Sequence, residues 1–128
     1  MTSSNHVSIE TLDAVMTAFN SHDLDRILQH FADDSVWDAS AGPDPWGKRI
    51  AGKPAIREAL AVAFAQLPDA HYATERHWIH DRLAVSEWTL TGTTTEGRKL
   101  EMRGCDLWEF RDQKIVRKDS YRKTVNAR

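Results

Sequence analysis

A single cysteine, Cys105, stands in 128 residues, which excludes an internal disulfide and leaves any metal site to histidine and carboxylate ligands. His71, His77 and His80 do not follow a metal-binding spacing with a third ligand, so neither a metal nor another cofactor is expected. No apolar run approaches the roughly 18 residues of a membrane span. The opening MTSSNHVSIE lacks the basic start and apolar middle of a secretory leader, so a cytoplasmic protein is expected. Charge of one sign is not in excess either. The net charge is −2 and the pI about 6.3, without the basic footprint of a nucleic-acid binder. The cluster Arg117, Lys118, Arg122 and Lys123 reads as a solvated strand face with one or two members turned inward. A glycine-rich phosphate loop, a nucleophile elbow, internal repeats and low-complexity tracts are all missing.

What is present suits one domain over residues 1–128 with a core from about 8 to 124. Hydrophobic residues are 41% and charged residues 28%, near globular averages, and the length suffices to bury about two thirds of the unfolded surface. Ile9, Leu12, Val15, Met16 and Phe19 fall on one helical stripe. Ser21 or Asp23 can cap a second helix through Leu24, Ile27, Leu28 and Phe31. A short strand, Val36-Trp37-Asp38, follows. Ala39 to Gly52, ASAGPDPWGKRIAG, holds three glycines and two prolines, and reads as a functional loop in which Trp46 covers a pocket or contacts a partner, or else plugs the end of the core. Pro54 opens a third helix that carries Ile56, Leu60, Val62, Phe64 and Leu67. The period then changes to two, predicting strands over 71–79, 83–95, 98–110 and 114–124. Helices first and an antiparallel meander after them predict an α+β fold.

The last two strands carry the chemistry. Asp106 interrupts an apolar alternation, and a buried acid needs a partner or a task, because burying a polar group alone costs about 2–7 kcal/mol. A two-residue turn at Glu96-Gly97 places Asp106 opposite Glu87, with Thr89 on the same face. Two carboxylates so placed raise one another's pKa and make a general acid or base. A three-residue turn after Phe110 then sets Asp106 opposite Lys118 and Gly104 opposite Ser120; a two-residue turn sets Asp106 opposite Asp119 instead. A turn at Asp81-Arg82 sets Glu87 opposite Arg76. The plainer account of these residues is a set of structural ion pairs, Arg76 with Glu87 and Asp106 with Lys118.

The segments FNSHDLDRILQHFADDSVW, AGKPAIREAL and GCDLWEFRDQKIVRKDSY resemble the SnoaL-like branch of the nuclear transport factor 2-like superfamily, over nearly the whole chain. That resemblance implies a cone, in which a curved antiparallel sheet wraps three N-terminal helices around a largely apolar pocket and the outer sheet face forms a homodimer. It does not choose an activity, since the superfamily holds cyclases, isomerases, hydrolases and binding proteins. Gln113 stands where the family's turn has glycine, Ser120 where its epoxide hydrolases have an acid, and Asp38 only near the isomerase base. The resulting expectation is a pocket lined by Trp37, Trp46, Thr89, Ser120 and Tyr121 for a small, mostly apolar metabolite. Asp106 would transfer protons, tuned by Glu87, with Lys118 or Tyr121 stabilising an oxyanion in a cofactor-independent isomerisation, cyclisation or dehydration. The competing expectation is a binding or assembly module with a vestigial pocket. Strict alternation places Ser86, Trp88, Leu90, Cys105 and Leu107 on the outer, dimer-forming face.

Overall fold

Helix α1, Ile9–Ser21, starts where Ser8 leaves the extended chain and its hydroxyl accepts the Thr11 amide. It ends at His22, whose φ of 59° terminates the helix in a left-handed residue. The computed structural model describes residues 6–126; residues 1–5, which begin the stretch read above as leaderless, lie outside them. Leu12, Val15, Met16 and Phe19 are buried, whereas Ile9 on the same stripe stays exposed. Asp23 caps the short α2, Leu24–Leu28, by accepting the Arg26 amide. Helix α3, Lys53–Gln66, has Pro54 in its first turn and buries Ile56 and Leu60. Val62, expected on its apolar side, points to solvent.

Phe31 does not close α2 but opens a strand. The strands are β1 Phe31–Asp44, β2 Gly47–Ala51, β3 His71–His80, β4 Leu83–Thr93, β5 Lys99–Arg111 and β6 Lys114–Arg122. They form one six-stranded sheet in the order β2-β1-β6-β5-β4-β3. The expected α+β fold is present, as three helices packed on an unclosed sheet. The sheet is mixed, because β1 runs parallel to β6. The expected loop from Ala39 to Gly52 is largely a hairpin of β1 with β2. Gly47 serves its turn, with φ 82° and a Cβ there that would strike the Ala39 carbonyl, whereas Gly52 stands at the start of α3. Among the described residues no helix is long and apolar enough to cross a membrane.

Two registers differ from those expected, and they decide what faces the helices. Between β4 and β5 the ladder runs Thr93↔Lys99 to Leu83↔Glu109, so Asp106 lies opposite Ser86 and Glu87 opposite Cys105. The connection is longer than a two-residue turn, with Thr94 N–H bonded to the Arg98 carbonyl and Gly97 N–H to the Thr94 carbonyl. Between β5 and β6 the turn is the tight one, Asp112 and Gln113 with φ of 50° and 66°, which aligns Arg111 with Lys114 and Phe110 with Ile115. A bulge at Val116 then inserts one residue, and beyond it Trp108 pairs with Lys118 and Asp106 with Ser120. Asp106, Lys118 and Ser120 thus share a face as expected, through a different pairing.

The inner face carries Ala84, Ser86, Trp88 and Leu90 of β4 with Asp106, Trp108 and Phe110 of β5, all buried. Ser86, Trp88 and Leu90 were expected outside. Cys105 and Leu107 do lie on the outer face, half-buried. Asn20 of α1 covers the free edge of β3 by accepting the Tyr72 amide at 2.8 Å and donating to its carbonyl at 3.0 Å, which occupies edge groups that could template another strand.

Candidate functional site

A cavity of about 380 Å³ lies between α3 and the inner face of the sheet. Leu60 and Phe64 of α3, with Leu67 just after it, form one wall, and Phe19, Trp37, Tyr72, Trp88 and Leu90 form the other. Lys118 and Ser120 lie along its polar side, which runs out to the exposed Arg122. Such walls, largely apolar with a few converging polar groups, define a small-molecule site.

Asp106 is the anchor beneath this polar side. It is 2% exposed and does not belong to the cavity lining. Its Oδ1 accepts Lys118 Nζ at 2.7 Å and the Ser120 hydroxyl at 2.5 Å, and its Oδ2 accepts Trp88 Nε1 at 2.9 Å. Ser120 in turn accepts Trp37 Nε1 at 3.1 Å. Three of these donors reach a carboxylate that would be very costly to bury alone, and the Lys118 ammonium neutralises it. The ammonium also sits over the rings of Phe19, Trp37 and Trp108, 4.9–5.6 Å from their centroids. Gly104 makes room for Trp88: a Cβ there would stand 2.5 Å from the indole and meet the Tyr121 carbonyl.

Tyr72 is the site residue that sequence reasoning missed. Its ring packs edge-on against Trp88 with centroids 5.0 Å apart. Burial first, and the Asp106 charge second, push its phenol up to about 12, so it is a neutral hydrogen-bond donor across the physiological range. Trp88 was also missed, although an aromatic residue paired with a glycine, Gly104, is the cross-strand signal that could have found it. Ser86 is engaged on the helical side of the sheet, where its Oγ accepts Trp108 Nε1 at 2.9 Å and lies 2.8 Å from His77 Nδ1. His77 Nε2 is 3.1 Å from Asp13 Oδ1. Acid, imidazole and hydroxyl follow the order of a nucleophilic triad, but Ser86 is wholly buried, and the chain of contacts ties α1 to the sheet.

Trp37, Lys118 and Ser120 therefore reach the cavity, with Asp106 behind them. Four other expected residues do not. Glu87 is on the outer face, 3.7 Å from Arg76 and accepting Trp78 Nε1 at 2.5 Å; the expected Arg76 pairing is present, and the expected Asp106 pairing is not. Thr89 shares that outer face and donates to Glu75 at 2.9 Å. Both are displaced by the one-residue shift between β4 and β5, since neighbouring strand positions face opposite ways. Tyr121 is 56% exposed on the outer face, opposite Cys105, because the bulge turns Ser120, not Tyr121, inward. Trp46 sits just before β2 in the hairpin connection, half-exposed beneath the Arg49 guanidinium at 5.7 Å, and does not belong to the cavity lining.

Asp38 is also outside the cavity. It is buried under a bidentate Arg49, at 2.8 and 3.0 Å, with Arg117 at 3.7 Å. The Arg49 hydrogen bonds hold its carboxyl below the ordinary 3.8, against the opposing effect of burial. Among the described residues, no group of three His, Cys, Asp or Glu side chains could hold a metal ion.

The architecture defines the class, an α+β domain of nuclear transport factor 2-like shape, and solved structures agree. A protein of that fold from Mesorhizobium loti, of unknown function, is 25% identical over 90% of this chain and 89% of its own, with a TM-score of 0.72. TerC, co-crystallised with polyporic acid, is 23% identical over 94% and 92%, with a TM-score of 0.77. A protein from Catenulispora acidiphila with a ketosteroid isomerase-like fold, in complex with trimethylamine, is 16% identical over 90% and 86%, with a TM-score of 0.79. No protein of curated function matches the chain. The model of the SnoaL-like domain matches residues 12–118, and the chain belongs to that family.

Proposed function

We propose that the chain binds a small, mostly apolar molecule in the cavity between α3 and the sheet, and that Asp106 positions the polar side of the site rather than moving protons. One observation carries this reading: both oxygens of Asp106 are already taken, by Lys118, Ser120 and Trp88. A general base must also come within hydrogen-bond reach of the substrate proton. Here Asp106 lies behind the lining, while Lys118, Ser120 and Tyr72 are among the polar groups that a ligand meets, with Arg122 further out. The reading favours a binding protein over an acid/base isomerase or cyclase.

A ligand screen by thermal shift tests it, run on the natural chain and on Leu60→Trp, whose larger side chain fills the cavity. Binding at about 100 Kd adds roughly 2.7 kcal/mol. Ring-containing hits should stabilise the natural chain and not the filled variant. Hits that stabilise both equally would place binding elsewhere.

The same reading includes a homodimer through the outer sheet face. Trp78 and Leu83 are half-exposed there, beside Val85 and Leu107 in one groove, and contiguous exposed apolar surface of this kind commonly marks an interface.

A further inference from the structure

The Lys118 ammonium occupies an enclosure that has the parts of a receptor for a small organic cation. Phe19, Trp37 and Trp108 hold ring centroids 5.0, 5.6 and 4.9 Å from Nζ, inside the roughly 6 Å over which a ring face attracts a cation. Asp106 takes a further side at 2.7 Å, and the Lys118 side chain, only 7% exposed, still lines the cavity. The protein has filled this cage with its own cation. We propose that Lys118 thereby sets the sign of the ligand: the cavity takes a neutral or anionic molecule that offers an acceptor oxygen to Lys118, and rejects organic cations. This rests on the cavity being the binding site, and adds the head group that the site selects.

Three features support the selection. Among the described residues no carboxylate belongs to the cavity lining, and Asp106 lies behind it under three donors, so a ligand ammonium finds no carboxylate to pair with. A ligand cation would meet the positive end of the Asp106–Lys118 pair and the Arg122 guanidinium of the same lining, and both repel it. The donors of the site are in surplus: Lys118 has three N–H groups and spends one on Asp106, while Tyr72 lines the same cavity with its phenol proton retained. A carbonyl, enolate, phenolate or carboxylate oxygen fits that surplus.

Calorimetric titration of the full chain with three probes of one ring skeleton separates the outcomes: acetylnaphthalene, naphthoate and naphthyltrimethylammonium. The ketone and the carboxylate should each bind at least about tenfold more tightly than the cation, about 1.4 kcal/mol. Equal binding of all three overturns the sign selection while leaving the cavity reading intact. Binding of none removes the cavity reading, and this inference with it. Lys118→Ala supplies the converse arm, because it vacates the cage and leaves Asp106 without its cation. Trimethylammonium chloride should then raise the melting temperature of Lys118→Ala and leave that of the natural chain unchanged. A folded variant that shows no rise contradicts the cage. If the variant does not fold, the three-probe comparison decides alone.

Discussion

Asp106 Oδ1 accepts the Ser120 hydroxyl at 2.5 Å across the β5–β6 pair. The contact depends on a single extra residue. Without the bulge at Val116, Ile115 facing inward would send Lys118 outward by simple alternation; with it, Ile115 and Lys118 are both buried on the helical side. The inward direction of Lys118 and Ser120 therefore rests on a backbone irregularity that no side-chain type announces.

The Asp106–Lys118 pair should be strongly coupled. Lys118→Met leaves a buried carboxylate without its counter-ion, and about 3–5 kcal/mol of stability should be lost. Asp106→Asn with Lys118→Met removes both charges and should recover most of that loss. Urea unfolding of the two single variants and the double variant measures the coupling, and simple additivity would show that the two groups do not depend on each other.

Gly104→Ala should cost about 1–3 kcal/mol through overpacking. The added methyl meets a backbone carbonyl, that of Tyr121, as well as the Trp88 ring, so rotating a side chain cannot relieve it. The Trp88 bond to Asp106 should weaken, which would appear as a shift of the indole N–H resonance. An unchanged melting temperature and spectrum would contradict the packing described.

Asp38 and Arg49 should govern part of the acid response. A carboxyl held below 3.8 in the folded chain contributes stability that is fully present above the unfolded pKa and is lost as pH falls through the folded one. Arg49→Gln should therefore be less stable than the natural chain by a constant margin near neutral pH. The margin should close as the pH falls below about 4. A gap that persists undiminished at low pH would assign the loss to packing instead.

The dimer interface, if formed by the outer face, runs through Leu107 and Leu83 and not through Trp88, which is buried inside. Light scattering should give twice the 14.6 kDa of one chain, and Leu107→Glu should give the single chain. A monomeric natural chain would remove the proposal.

Local chemistry in the sequence determined the three helices, with Asp23 and Pro54 at the starts of the second and third. It also determined the period-two strands after Pro68 and the Arg76–Glu87 pair beside the tight turn at Asp81-Arg82, and it singled out Asp106 as an acid within an apolar alternation. These depend on neighbours a few residues apart or on a turn whose length the residues themselves specify. Only the tertiary structure decided that Glu87, Thr89 and Tyr121 face away, that Trp88 and Tyr72 face in, and that the Asp106 carboxylate is satisfied. Side-chain direction in a strand reverses with every residue. One residue added in the β4–β5 connection or at Val116 therefore reassigns a whole face, and such additions are chosen by how the sheet packs against the helices, not by the sequence at the point of insertion.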